Sequence, residues 1–271
     1  SHVLLLCDDP HKTVFGLLPE RKGQMESLYD FELMEEGGHL RGWRLDDESL
    51  ELVAAALRKL WAPDALRARY GLGEGETPFQ LAVGDGNHAL SAAKACYERQ
   101  KGLTPPEKWA TLPARYALCE MVDLHDEALT FEPIHRVVFG VKGEDLLAAL
   151  GRAFPGAEEK GPSIPLPYVW EGGEGVLQLP GDSEKPPVAR LQSFLDEYVK
   201  THGGSIDYIH GADVARALGR RGGNMAFLLP APDREKLFPL LLRGETLPRK
   251  AFSVGQANDK RFYLEARRIR D

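Results

Sequence analysis

The chain of 271 residues contains only three cysteines and no CxxC pair. Cys7, Cys96 and Cys119 lie far apart, each within or beside an apolar run. An odd, scattered set argues against a disulfide framework or a zinc knuckle and fits a reducing cytoplasm. An excess of positive charge is also missing: 34 Lys and Arg face 41 Asp and Glu, a net charge of −7. Neutralising phosphates needs a net basic face, so neither nucleic acid nor an anionic membrane is an expected partner. The uninterrupted apolar runs span only a few residues, far below a membrane span or a signal-peptide core. HExxH, GxSxG, Walker A and GxGxxG are all absent, which removes the commonest zinc-protease, serine-hydrolase, P-loop and dinucleotide signatures.

What is present is an alternation of strand and helix patterns without an internal repeat. Val3 to Cys7 reads as a buried strand ended by Asp8-Asp9-Pro10, and Gly37-Gly38 marks a hairpin between Phe31 to Met34 and His39 to Leu45. Asp46 or Asp47 caps a helix whose apolar positions Leu50, Val53, Leu57, Leu60 and Trp61 recur at helical spacing until Pro63. Phe79 to Val83 reads as a short strand, residues 84 to 88 as an exposed turn, and Ala89 to Arg99 as a helix. Ala114 to Leu124 reads as a second buried strand in a hairpin with Leu129 to Phe139. Beyond Gly140 come a helix from Glu144 to Phe154, a hairpin around Gly172-Gly173, a helix from Val188 to His202 and a strand from Ile206 to Ile209. The tail adds a helix from Asp213, a strand from Met225 to Leu229, a helix from Arg234 to Leu242 and an extended finish. The expected division is a core over 1–140, an α/β insertion or second layer over 141–205, and a segment over 206–271 that returns to the core.

The chemistry concentrates in Gly84-Asp85-Gly86-Asn87-His88. Two glycines permit close backbone approaches, and a following helix aims free N–H groups at whatever sits in the turn. That is an anion site, most naturally for phosphate. Asp85 can hold a metal or a hydroxyl, and His88 can bond a phosphate oxygen or move a proton. The same five residues fit an ordinary strand-to-helix connection equally well. Glu120 interrupts the run Ala117 to Val122, where a carboxylate is costly unless paired or used; a strand-edge residue facing water is the competing reading. His135 and Arg136 follow on the next strand, on opposite faces by the period-two rule. Arg249 and Lys250 open the last extended segment as a phosphate clamp or a solvated turn. His210 reads as a strand-end residue, and His2, His11, His39, His125 and His202 show no ligand spacing.

Phe79 to His88, Tyr116 to Asp123, Phe131 to Val138, Asp207 to Gly211, Leu247 to Ser253 and Arg261 to Glu265 together resemble a conserved bacterial family known as domain of unknown function ten-fifteen. The resemblance covers nearly the whole chain. Members carry a further N-terminal region, and this chain opens at Ser1-His2 without an initiator Met, so it is expected to be the C-terminal portion of a longer protein. Most members have Asp-Gly-His-His-Arg at the turn, similar to the signature of the ParB and sulfiredoxin-like fold, which includes kinases of free serine. The resemblance implies an α/β (α+β) class, with a mixed-sheet ParB/sulfiredoxin-like core and an additional α/β layer. It places Asp85, Gly86 and His88 on the motif's Asp, Gly and second His; Asn87 replaces the first His and Ala89 stands in place of the Arg. Lys94 or the Arg249-Lys250 pair would have to supply that charge.

Two functions follow as expectations. One is a cytoplasmic phosphotransferase that uses ATP or ADP with Mg²⁺ on a small hydroxyl metabolite, free serine foremost. In it Asp85, His88 and Glu120 are catalytic, Asp85 also holds the metal, and Gly84, Gly86, Asn87, His135, Arg136, Arg249 and Lys250 bind phosphate. The other is a nucleotide- or metabolite-binding regulator without turnover. On the first reading His88, Glu120, one of His135 and Arg136, and Arg249 or Lys250 converge on one cleft.

Overall fold

Asp46 begins a helix because its carboxylate accepts the Ser49 amide at 2.7 Å, which satisfies a donor that the first turn leaves without a partner. In the computed structural model, which describes residues 3–76, 78–155, 163–180, 186–244, 247–248, 250–255 and 265–269, that helix lies in the first of two compact units. This first unit comprises 1–129 and 255–271; the second is 130–254. In chain order the first unit holds β1 (Leu4–Cys7), α1 (Leu17–Arg21), β2 (Glu26–Glu32), β3 (His39–Arg44), α2 (Asp47–Leu60), α3 (Pro63–Tyr70), β4 (Leu81–Asp85), α4 (Asn87–Lys101) and β5 (Glu120–Asp123).

A three-stranded mixed sheet of order β4-β1-β5 carries this unit, with β4 antiparallel and β5 parallel to β1. The helical spacing of α2 lays Val53, Leu57 and Leu60 against Cys7, Val14, Leu81 and Met121. The Gly37-Gly38 hairpin is the separate pair β2–β3. All three cysteines are free, as the sequence led us to expect. Burial, with Asp9, Asp123 and Asp8 nearby, pushes the Cys7 thiol up to about 12, so it is an inert core residue.

The second unit contains β6 (Phe131–Phe139), α5 (Gly143–Ala153), β7 (Ser163–Trp170), β8 (Gly173–Pro180), α6 (Pro187–His202), β9 (Ser205–His210), α7 (Ala212–Gly219), β10 (Asn224–Phe227), α8 (Leu237–Leu242) and β11 (Phe252–Val254). Its sheet runs β11-β6-β10-β7-β8, all antiparallel, and β9 pairs with the rest of the β6 edge beside β11. Strand β6 is largely buried on both faces because both are covered. Val138 packs with Leu146, Leu150, Leu191 and Leu195 of α5 and α6, whereas Val137 packs with Ala215 of α7. Phe131 pairs with Val254, so this unit begins and ends in neighbouring strands.

The structure corrects the sequence reading at two elements. Ala114 to Leu124 is not one buried strand: a short 3-10 turn covers Pro113–Arg115 and only Glu120–Asp123 is extended. Nor does it form a hairpin with the following strand. β5 pairs with β1, whereas β6 finds β9, β10 and β11 in the second unit. Proximity in sequence suggested a partner that two separate sheets do not allow.

Candidate functional site

The turn expected over residues 84 to 88 is shorter than the pattern implied. Gly84 and Asp85 belong to β4, Asn87 and His88 to the first turn of α4, and Gly86 alone connects them, at φ 84°. A left-handed backbone at that point is cheap only for glycine. Gly84 has a different reason. Leu4 pairs with Asp85 but Leu5 pairs with Val83, so Gly84 is the extra residue of a β-bulge. A Cβ there would stand 2.9 Å from Leu6 Cγ, so the glycine serves packing against β1.

Asp85 Oδ1 accepts the Gly86 amide at 2.8 Å, which orients the carboxylate at the helix start. No side chain caps α4, and its first amides have no intrahelical acceptor. Asn87 and His88 are exposed there. Asp85, Leu4 and Glu120 form one row across the sheet, which sets the two carboxylate-bearing backbones about 10 Å apart. Glu120 is exposed, not sealed in an apolar strand. Its neighbourhood is acidic: the Tyr29 hydroxyl donates to Glu265 at 2.8 Å, and that bond, burial, and the charges of Glu265 and Glu120 raise the Tyr29 pKa.

At the opposite end of the sheet, chain segments remote in sequence meet. The Asp8 carboxylate accepts from the Tyr70 hydroxyl and lies 2.6 Å from His125 Nε2, while Arg69 donates to the Asp8 carbonyl at 2.7 Å. Asp9, fully buried, accepts from Thr13 N and Oγ1, Val14 N and Phe15 N at 2.7–3.3 Å. Burial alone would raise its pKa, but these hydrogen bonds outweigh it and hold the carboxyl below its ordinary value. Asp123 accepts the His125 amide at 3.0 Å. No local pattern pairs His125, because its contact lies 117 residues away; the visible signal was the Asp-Asp pair that closes β1.

The remaining sequence candidates fall in the second unit, apart from Arg249, which lies outside the described residues. His135 and Arg136 take opposite faces of β6. Arg136 is 0% exposed and donates to Gln192 Oε1 at 2.7 Å and to the Ile134 carbonyl at 2.6 Å. Its guanidinium stacks 4.6 Å from the Tyr208 ring, and Lys250 Nζ lies 5.1 Å from that same ring. Burial pulls the Arg136 pKa down to about 10 against the opposing influence of Tyr208 and Asp196. His135, 4% exposed, uses Nδ1 to accept the Leu229 amide at 3.1 Å. Asp85, His88 and Glu120 thus share the first unit, while His135, Arg136 and Lys250 share the second. Among the described residues no three His, Cys, Asp or Glu side chains gather as a metal site, and no helix is long and apolar enough to cross a membrane.

Fold and side chains together define an α/β protein of two sheet-bearing units, with an open helix start in one and a buried histidine beside a cavity in the other. The chain belongs to the family described as protein of unknown function DUF1015, whose model matches residues 1–246. A conserved hypothetical protein from Pyrococcus furiosus has a similar solved structure, 17% identical, covering 72% of this chain and 82% of that one at a TM-score of 0.41. No curated protein matches the chain.

Proposed function

We propose that this protein is a phosphotransferase of the ParB/sulfiredoxin-like type that phosphorylates a small hydroxyl metabolite, free serine foremost, with ATP or ADP as donor. The observation that carries the reading is the uncapped start of α4, reached through left-handed Gly86 and flanked by the oriented Asp85 carboxylate. Helix-start amides and exposed His88 hold the transferred phosphate, and Glu120, the exposed carboxylate of the same sheet row, accepts the hydroxyl proton. Positioning and charge stabilisation supply most of the rate in such a transfer. Mg²⁺ would be an ion carried on the nucleotide phosphates with the Asp85 carboxylate as its protein ligand. There it would neutralise charge on the phosphates.

Incubation with ATP or ADP, Mg²⁺ and a panel of small hydroxyl compounds, followed by ³¹P NMR, tests this. A phosphorylated product that falls about 100-fold in His88→Ala is expected, the range for loss of one stabilising donor; no product with either donor overturns it. A second reading, a nucleotide- or metabolite-binding regulator, is favoured by Ala89, which cannot grip a phosphate as the Arg of related motifs does. Nucleotide binding without turnover assigns the protein to that class.

A further inference from the structure

The second unit carries an open pocket of about 500 Å³ bordered by β6, β7 and the start of α7, within the size range of metabolite sites. Its walls are mainly Pro133, Pro165, Pro167, Leu228, Leu229 and Pro230, and its polar border holds His135 and Arg216. His135 is buried, and the Leu229 amide occupies its Nδ1. In the neutral ring the proton therefore sits on Nε2, which has no hydrogen-bond partner among the described residues. The Nε2–H is not sealed from the pocket, which leaves it available to a ligand acceptor. Burial first, then Arg136, Arg216 and His210, hold His135 below the ordinary histidine value, consistent with a neutral donor.

Among the described residues Arg216 is the one cation lining the cavity. Its contact with Glu174 is long, 3.7 Å, and Arg220 shares that carboxylate at 3.4 Å, so donors of its guanidinium remain uncommitted. Gly211 and Ala212 bring the α7 start to the same border, and no side chain caps it. Glu132 also borders the cavity, but strand alternation assigns its side chain to the Arg136 face of β6, away from His135. We propose that this cavity binds a small carboxylate with an apolar body. The carboxylate accepts from His135 Nε2–H and the Arg216 guanidinium, while its hydrocarbon part lies against the proline and leucine walls. A phosphate dianion is poorly served, because one shared arginine cannot neutralise it among prolines. The site lies wholly in the second unit and does not depend on the phosphotransferase reading.

The test titrates the whole protein with isobutyrate, benzoate, benzamide and inorganic phosphate, followed by calorimetry and by NMR of the His135 ring and the Leu229 amide. Saturable binding of a carboxylate that shifts both resonances is expected, with benzamide silent and affinity at least tenfold weaker in Arg216→Gln. The proposal fails if neither carboxylate binds, if phosphate is the sole anion bound, or if Arg216→Gln binds as tightly as the parent. Should Arg216→Gln lose its near-ultraviolet circular dichroism, Arg216→Lys takes its place. A several-fold loss is then expected, and unchanged affinity overturns the proposal.

Discussion

The two ends of the three-stranded sheet treat polar groups in opposite ways. Where β1 and β5 finish, Asp8, Asp9 and Asp123 accept from fixed donors of the surrounding chain. Where β4 finishes, the start of α4 has no capping side chain and His88 stands exposed. The denser polar cluster is the structural one: its carboxylates hold loops in place. The sparser end keeps donors available for a ligand. If the proposed transfer takes place at the α4 start, uncommitted hydrogen-bonding capacity, not the crowding of charged residues, is the guide to chemistry here.

Substitutions can break this contrast, and the largest effect belongs to the crowded end. Asp9→Ala leaves several donors around a buried carboxylate without an acceptor and is expected to lower stability by about 3 kcal/mol, read as the shift in a urea unfolding midpoint. Tyr70→Phe removes one donor from Asp8 and should cost about 1–2 kcal/mol by the same measurement. At the other end, Gly84→Ala forces a Cβ against Leu6 and should cost about 1 kcal/mol, while His88→Ala, an exposed change, stays within about 0.5 kcal/mol of the parent. A stability loss for His88→Ala matching that of Asp9→Ala would dissolve the distinction.

Acid sharpens it further. The folded pKa of Asp9 lies below its ordinary 3.8, so its contribution is present above that value and lost as pH falls through the folded pKa. The unfolding midpoint of the parent should drop on acidification below pH ~4, and Asp9→Asn should flatten that part of the profile. An unchanged slope would show that other carboxylates govern the acid limb.

Elements written in local patterns were legible in the sequence. The Asp46 cap and the spacing from Leu50 to Trp61 define α2, the paired glycines define β2–β3 and β7–β8, and α5 and α6 follow their apolar periodicity. Pairing over long distances was not. Nothing near Glu120 indicates that β5 lies beside Leu4 to Cys7, nor does anything near Phe131 indicate β11 as its partner. The motif at Asp85 and His88 was visible because glycine and helix onset are local signals. The Asp8–His125 contact and the cavity at His135 were not, because each is assembled from strands and helices that only the fold brings together.

The pairing of Phe131 with Val254 makes the second unit a parenthesis in the chain. Its opening and closing residues sit about 5 Å apart, as in any antiparallel pair, so the sequence leaves the first unit and returns to it through one doorway. Such a passage can be inserted, lost or exchanged as a block, because a short bridge from 129 to 255 would restore the sentence around it. The two candidate sites accordingly stand on separate stretches of chain: the α4 start on the enclosing text, the proline-walled cavity on the clause within.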